Sequence, residues 1–532
     1  MRTNESTIVE AALAASLGVI SGVLVGLAGR ADGLGALCVV GWIPVLVALR
    51  RSGPWPAAVA GAATGAVSLL VAMAWMPETI SRILPSGGWV PTVAWWATVG
   101  AFGLAMACWG ALSSVSARID GPARWAVPAL GLAVVESFVP FAVPVQYGAA
   151  AWKMPVLLQV AEIGGGAAVT SLVLLVNLSI LGVIDRVRGV PAPFVLWSVT
   201  AATLLVSTVR MAHVRTMLGG ADTIRVAVLE PHDGFQGREA SAITADRRAR
   251  RLLESTRSAA RAGADLVIWP ETAWPYAFDR DRDRDFPAGH PWRVVPSGDP
   301  TTAVVAGSLT VSSTGDTFNS AVAFEADGRI TGVYDKRVPF PLGETSLLDD
   351  VLERLRLGRS DLAADLPLVT AGDGPRTLDV ADVRVAPLIC NEEFQLTGLT
   401  NAELREVDLL VGMSSDVWFG GPAASSQHLA QAVLRAIETR RHVVRASMPS
   451  GSAVIDPTGR VAWSMPASTA VGGVAVGAAN IATTRTASIA PAIAPAFRWL
   501  ALVWIIALLF AGRPVSISVG TAEARRPRSA FS

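Results

Sequence analysis

Residues 384–393 read RVAPLICNEE, an apolar run that stops at a cysteine and gives way at once to three polar residues. A short apolar run of this kind reads as a buried strand, and Asn391, Glu392 and Glu393 are expected to open a helix behind Cys390. Two other runs end in the same manner. Residues 265–269 (DLVIW) stop at Pro270-Glu271, and residues 329–335 (RITGVYD) stop at Lys336. Upstream, residues 224–229 (IRVAVL) read as a further buried strand, and residues 241–262 (SAITADRRARRLLESTRSAARA) as a basic amphipathic helix. Strands alternating with helices predict an α/β sandwich. Asp327-Gly328 and Asp456-Pro457-Thr458-Gly459 each separate two alternating runs and predict hairpins. The charge run DRDRDRD at 279–285 is expected to be a solvated loop.

Outside this region the chain changes character. It is 52% hydrophobic and only 16% charged over 532 residues, which is unusual for a soluble globular protein. The charge is concentrated between residues 221 and 485. A membrane-crossing helix needs roughly twenty apolar residues. Stretches meeting or approaching that length are 8–29, 34–49, 55–76, 89–116, 125–145, 166–185 and 190–209, then 492–511, with Pro44 kinking the short second one. The first is too long for the apolar core of a signal peptide and leads straight into further apolar segments. The expected organisation is an α-helical transmembrane bundle in 1–215 and an α/β domain in 221–485. A C-terminal span in 490–512 and a basic tail in 513–532 follow.

Arginine and lysine in short loops favour the cytoplasmic side. With the N-terminus inside, Arg2, Arg50, Arg51, Arg118, Arg124, Arg186, Arg188, Arg513, Arg525, Arg526 and Arg528 fall inside, against Arg30, Arg82 and Lys153 outside. Seven preceding spans then place the α/β domain on the outer face. Glu136, Gln146, Tyr147, Gln159, Glu162 and Asn177 lie in or near spans, where an ionisable group costs roughly 2.5–3.5 kcal/mol. They read either as packing contacts between helices or as the lining of a headgroup cavity.

A net charge of +1 gives no electrostatic case for nucleic acid. Cys38 and Cys108 lie in apolar segments and are expected to be buried filler, whereas Cys390 has no nearby partner for a disulfide. No Cys/His spacing of the metal-binding type occurs, and no cofactor is expected. His213, His232, His290, His428 and His442 are scattered and default to ordinary surface or core roles.

The C-terminal ends of strands are where α/β folds gather functional side chains. A thiol becomes a good nucleophile once deprotonated, and a neighbouring carboxylate can take its proton. The carbonyl oxygen attacked by that thiolate turns anionic. A lysine ammonium and a backbone N–H can stabilise it, one such donor being worth about 10²–10³ in rate. Glu271, Lys336 and Cys390 thus form a complete set of parts for acyl transfer.

The words around those residues carry a family resemblance. Trp269-Pro270-Glu271-Thr272-Ala273, Tyr334-Asp335-Lys336 and Ile389-Cys390-Asn391-Glu392 resemble the three signatures of the nitrilase, or carbon–nitrogen hydrolase, superfamily. Ser415-Asp416-Val417-Trp418-Phe419-Gly420, Gln427-His428-Leu429, Arg435-Ala436-Ile437-Glu438-Thr439 and Val454-Ile455-Asp456-Pro457 are similar to its later blocks. A nitrilase-like domain joined to an N-terminal helix bundle and a final span is the layout of the apolipoprotein N-acyltransferase family. The resemblance implies an αββα sandwich on the periplasmic face of a bacterial inner membrane, acting as a monomer. It implies that Cys390 takes an acyl chain from a phospholipid as a thioester and passes it to the amine of a diacylglyceryl-cysteine apolipoprotein. Glu271 is then the base, Lys336 the oxyanion partner, and Glu344 and Glu392 supporting residues.

A lipid-facing mouth would account for Trp274, Trp418 and Phe419 near polar residues, with core packing as the alternative. Asn391 stands where the family commonly has tyrosine, and Ser447–Gly451 replaces a Thr-Asn-Thr-Gly-like stretch. Loops at 274–300 and 344–370 are long enough to act as covers. Two other readings compete: a membrane-anchored amidase using water as acceptor, and a transporter or scaffold whose domain has lost activity.

Overall fold

The computed structural model describes residues 4–31, 33–83, 88–139, 146–188, 193–232, 242–298, 301–340, 344–345, 369–374, 376–394, 399–419, 421–465, 474–483, 488 and 490–511. The tail at 513–532 and most of the loop at 344–370 lie outside them. The first half is helical: α1 (Asn4–Gly29), α2 (Ile43–Arg51), α3 (Pro54–Ala72), α4 (Met76–Ile83), α5 (Val90–Ser116), α6 (Ala123–Phe138), α7 (Pro155–Leu158), α8 (Ala161–Val187) and α9 (Phe194–Leu218). Within α1, α3, α5, α8 and α9 lie stretches of 19 to 27 residues, long and apolar enough to cross a membrane.

Small residues let these helices approach closely, the usual device where no hydrophobic driving force distinguishes helix from lipid. Gly18, Gly22 and Gly26 of α1 meet Ala60, Thr64 with Val67, and Ser68 with Val71 of α3; a Cβ at Gly18 would lie 2.3 Å from the Ala60 carbonyl oxygen. The paired numbers rise together, so α1 and α3 run parallel. Gly61 meets Met106 and Gly110 while Gly65 meets Phe102 and Met106, so α5 runs antiparallel to both.

Parallel packing of α1 and α3 requires the chain between them to return along the full length of the bundle. The expected span at 34–49 is not a continuous helix. It is a 3-10 turn (Gly35–Val39) followed by α2, with the break at Val40–Trp42. Asn177 of α8 closes that break, accepting from Trp42 N at 3.1 Å and donating to the Cys38 carbonyl at 2.8 Å. Non-helical backbone at this depth is tolerated only where protein groups satisfy it. The stretch 125–145 is likewise shorter than expected, α6 ending at Phe138. Cys38 is buried as expected, but Cys108 is exposed on the bundle surface.

Two ends of the bundle are distinguishable. Arg50 pairs with Asp185 at 2.8 Å at one end. At the other, Gln427 donates to the carbonyls of Gly29 and Ala72, both at 2.8 Å. Arg51, Arg124 and Arg186 lie in the terminal turns of helices at the Arg50 end, and Arg118 and Arg188 just beyond helix ends there. The last of these helices, α9, delivers the chain to the sheets.

The sheet domain contains β1 (Thr223–Pro231), α10 (Ala242–Arg261), β2 (Leu266–Ile268), β3 (Phe278–Asp279), β4 (Ala303–Val311), β5 (Thr317–Phe324), β6 (Ile330–Asp335), β7 (Leu378–Val380) and β8 (Val383–Ile389). It continues through α11 (Asn401–Glu406), β9 (Leu409–Ser415), α12 (Pro422–Thr439), β10 (His442–Met448), β11 (Ala453–Ile455), β12 (Val461–Ser464) and β13 (Val474–Ala482). One sheet runs β13-β1-β2-β4-β5-β6 with β3 beside β4, the other β12-β11-β10-β9-β8-β7. Both predicted hairpins are present, as β5–β6 and β11–β12.

The two sheets share a core that includes Val226, Ile268, Val385, Val411 and Val444. Leu252 and Leu253 of α10 pack with Trp269 and Val304 on the other face of the first sheet. The helix α12 covers the second sheet and also packs on the bundle, so Ala430, Val433, Leu434 and Ile437 join one core with Leu158, Leu172 and Val173. The ionisable side chains this helix buries are paired, His428 with Asp416 and Arg435 with Glu438. The result is an αββα sandwich whose inner helix layer rests on the bundle. The chain ends in α13 (Ala490–Ala511), which packs along α6 and α8. The charge run at 279–285 is not merely a solvated loop. Phe278–Asp279 forms β3, Arg280 pairs with Asp335, and buried Asp285 accepts from Val294 N and Val295 N at 3.1 and 2.8 Å.

Candidate active site

Glu271 follows β2, Lys336 follows β6 and Cys390 follows β8, so the two sheets deliver three side chains to one rim. Cys390 has φ of +55° and Thr272 has φ of +47°. Left-handed non-glycine residues cost about 1–3 kcal/mol each and cluster at functional sites. The residues after Cys390 form a 3-10 turn, Cys390–Phe394, and not the expected helix. Gly307 of β4 makes room for the Glu271 segment, since a Cβ there would lie 1.9 Å from the Pro270 carbonyl oxygen.

Lys336 is buried and bridges two carboxylates, with Nζ 3.3 Å from Glu271 Oε1 and 2.7 Å from Glu344 Oε2. Asn319 of β5 spans the same pair, its Nδ2 donating to Glu271 Oε1 and Glu344 Oε1, both at 2.8 Å. The backbone closes the set. Ser415 N donates to Glu271 Oε2 at 2.9 Å, and Phe340 N to Glu344 Oε2 at 2.6 Å. Glu271, Lys336, Glu344 and Cys390 line one cavity of about 250 Å³. Its other walls include Ile83 of α4, Leu309, Phe340, Trp418 and Phe419.

Burial pushes the Glu271 carboxyl up, against the pull of the Lys336 ammonium, and Glu344 beside it pushes the same way as burial. Burial also raises the Cys390 thiol well above its ordinary value, Glu271 adding to the rise and Lys336 opposing it. Burial works against the Lys336 charge, but Glu271, the Cys390 thiolate and Glu344 outweigh it and raise its pKa. A carboxyl whose pKa has climbed is a stronger base in its ionised form.

The structure separates the remaining predicted residues. Trp418 and Phe419 line the cavity, but Trp274 does not. It is 4% exposed and stacks between Trp269 and Phe278 at 5.7 and 5.6 Å, in the core under α10. Glu392 is not among the residues lining the cavity and holds the Cys390 turn, accepting from Arg337 N, Ile389 N and the Tyr334 hydroxyl at 2.8, 2.9 and 2.9 Å. Asn391 is buried and donates to the Val338 carbonyl at 2.9 Å. Within the loop at 274–300, Val294 and Val295 are buried in the core beneath α10.

Two features escaped sequence reasoning. Asn319 sits in an ordinary-looking strand, and nothing local marks it. His428, given a default role, is the hub of a buried charge cluster behind Cys390. Its Nδ1 lies 2.8 Å from Asp416 Oδ1, and its Nε2 lies 2.9 Å from Glu393 Oε2 and 3.1 Å from the Cys390 carbonyl. Arg445 pairs with Glu393 at 2.9 Å and Asp416 at 3.1 Å. The departure at 447–451 borders this cluster, Ser447 Oγ donating to Asp416 and the Gly451 carbonyl accepting from Arg445.

Comparison with known proteins agrees with this layout. A family model for carbon-nitrogen hydrolases matches residues 235–487, and one for the apolipoprotein N-acyltransferase N-terminal domain matches residues 21–179. An apolipoprotein N-acyltransferase of Geobacter metallireducens is 26% identical over 468 residues, covering 85% of this chain and 86% of that protein. One from Caulobacter vibrioides is 34% identical over 208 residues, covering 37% of this chain and 38% of that protein. Among solved structures, Saccharomyces cerevisiae Nit3, a member of branch 10 of the nitrilase superfamily, aligns over 52% of this chain and 94% of its own at 16% identity, with a TM-score of 0.33.

Proposed function

The chain belongs to the apolipoprotein N-acyltransferase family within the nitrilase superfamily, and from that premise we propose a two-step acyl transfer through a thioester on Cys390. In the first step Glu271 takes the thiol proton and the thiolate attacks an ester carbonyl of a membrane phospholipid. The oxyanion forms beside the Lys336 ammonium, in a cavity screened from water where such a charge is worth most. The C–O bond breaks, Glu271 returns the proton to the departing glycerol oxygen, and a lysophospholipid leaves. In the second step the N-terminal amine of a diacylglyceryl-cysteine attacks the thioester, its proton passes to Glu271, and the thiol is restored.

The observation that carries this reading is the composition of the cavity wall. Ile83, from a helix of the bundle, lines the same cavity as Glu271, Lys336 and Cys390. Arg82 beside it donates to the carbonyls of Val417 and Phe419 at 2.9 and 3.0 Å, on either side of Trp418. A hydrolase of small amides has no need of a cavity wall completed by the helical half of the chain. The arginines gathered at the Arg50 end of the bundle support a cytoplasmic placement of that end, with the sheet domain on the periplasmic side of a bacterial inner membrane.

The test is mass spectrometry of the purified protein after mixing with phospholipid. A fatty-acyl adduct on Cys390 that disappears on addition of a diacylglyceryl-cysteine peptide is the expected result. Turnover by Cys390→Ala, or cleavage of small amides without any acyl adduct, would defeat it.

A further inference from the structure

Trp418 and Phe419 line the cavity from a short turn whose two halves are held differently. The first half is anchored in the sheet domain. Ser415 pairs with Met448 in the second sheet and donates its N–H to Glu271, while Asp416 is locked by His428, Arg445 and Ser447. The second half is anchored by the helical half of the chain. A single nitrogen of Arg82, Nη1, donates to the carbonyls of both Val417 and Phe419 and so bridges the backbone on either side of Trp418. Glu78, one turn earlier on α4, accepts from Nη2 of the same guanidinium at 2.5 Å and sets its plane. The Phe419 ring packs against Trp75, just ahead of α4, with centroids 5.2 Å apart. Val417, Trp418 and Phe419 are only half-buried, so core packing does little to fix them, and hydrogen bonds from a charged donor, the stronger kind, carry more of the load.

The cavity thus has two sides. Cys390, Glu271 and Lys336 come from the strand ends, whereas Ile83, Trp418 and Phe419 form an apolar side that α4 either supplies or holds. We propose that Arg82 is a positioning residue that sets the preference for a long acyl chain, by fixing the turn that carries Trp418 and Phe419 in the cavity wall. This rests on the acyl-transfer reading above. The ester carbonyl is handled by Cys390 together with Glu271 and Lys336, which Asn319, Glu344 and Ser415 hold. The methylenes beyond that carbonyl each gain from burial, and only where the wall is in place to cover them. Loss of the Nη1 bridge frees the second half of the turn while Ser415 and Asp416 stay anchored. The apolar side is then blurred and the reactive side is not.

Chain length separates this role from a merely structural one. p-Nitrophenyl butyrate and p-nitrophenyl palmitate present the same ester and leaving group and differ only in apolar length. With each, the Cys390 thiolate bonds to the carbonyl carbon and displaces p-nitrophenolate, whose release gives kcat/KM for acylation. The full-length detergent-solubilised protein is compared with Arg82→Met, which keeps an apolar stem without a donor, and with Arg82→Lys, which keeps a charged donor but not the fixed fork. In Arg82→Met, kcat/KM for palmitate is expected to fall about tenfold further than that for butyrate, the worth of one to two hydrogen bonds. Arg82→Lys should recover part of the difference. A contact that only rivets the bundle to the sandwich would lower Tm and slow both esters alike, so equal losses, or an unchanged ratio of the two rates, overturn the proposal. Should Arg82→Met fail to fold, Glu78→Ala, at an exposed position, loosens the same guanidinium without removing it and is judged by the same ratio, with a several-fold shift expected. Failure of the unmodified protein to take an acyl group from phospholipid overturns the two-step reading instead, while the ester comparison still decides the role of Arg82.

Discussion

Arg440, the left-handed residue that ends α12, donates through Nε and Nη2 to a single oxygen of Glu162, 278 positions earlier at the start of α8, at 2.9 and 2.5 Å. Arg210 of α9 holds the same carboxylate, at 2.6 Å to its other oxygen. One buried glutamate therefore joins two bundle helices to the sheet domain. The placement of Cys390 beside Ile83 in one cavity depends on such joints, because the sandwich meets the bundle mainly through α12.

Glu162→Ala leaves the fully buried Arg440 guanidinium without its carboxylate. Breaking a buried pair from one side costs about 3–5 kcal/mol. Thermal unfolding of the detergent-solubilised protein is expected to shift down accordingly. An unchanged Tm would show that the joint is idle.

Asn177→Ala removes both partners of the break at Val40–Trp42, leaving Trp42 N and the Cys38 carbonyl unpaired inside the bundle. Each orphaned group costs about 1–3 kcal/mol. Lower yield of folded protein and a reduced Tm are expected, with partial recovery in Asn177→Gln. Equal behaviour of the alanine and glutamine variants would argue that the side chain acts by packing alone.

Gly307→Ala places a methyl group 1.9 Å from the Pro270 carbonyl oxygen. The neighbouring backbone must give way, at about 1–3 kcal/mol for such overpacking, and Glu271 moves with it. Acylation of Cys390 should slow by more than tenfold while the protein remains folded by circular dichroism. Wild-type acylation in this variant would mean that the position of Glu271 is not critical.

The His428 imidazolium is held by Asp416 and Glu393, which outweigh burial and the Arg445 charge and lift its pKa from 6.5 to about 9. Its folded pKa exceeds the unfolded one, so the stabilisation is complete below about pH 6.5 and is lost as pH rises through about 9. Burial pushes Asp416 and Glu393 up, but Arg445 and His428 outweigh it and depress both carboxyls, whose contributions vanish only under acid conditions. Tm measured from pH 6 to 10 should therefore decline through this window, and the decline should flatten in His428→Asn. Parallel curves for the two proteins would place the pH dependence elsewhere.

The division into an apolar helical half and an α/β half was legible because burial in lipid and burial in a sheet core leave different periodicities. Cys390, Glu271 and Lys336 were legible as abrupt polar stops after apolar strands, and Glu344 through its resemblance to a family position. Trp274 was placed at the cavity mouth because it lies near Glu271 in sequence, but it takes the alternative of core packing, in the layer beneath α10. The span at 34–49 was misread because apolar composition does not reveal where a helix breaks. That break exists only because Asn177, well over a hundred residues away, satisfies it. Asn319, and the meeting of His428 with Asp416 and Glu393, were invisible for the same reason. A side chain's partners across two sheets are set by strand order and register, which composition and periodicity along one strand do not encode. Local pattern thus determined what each segment is and where its reactive ends lie, while tertiary contact alone decided which of those ends meet and which polar groups lie buried between them.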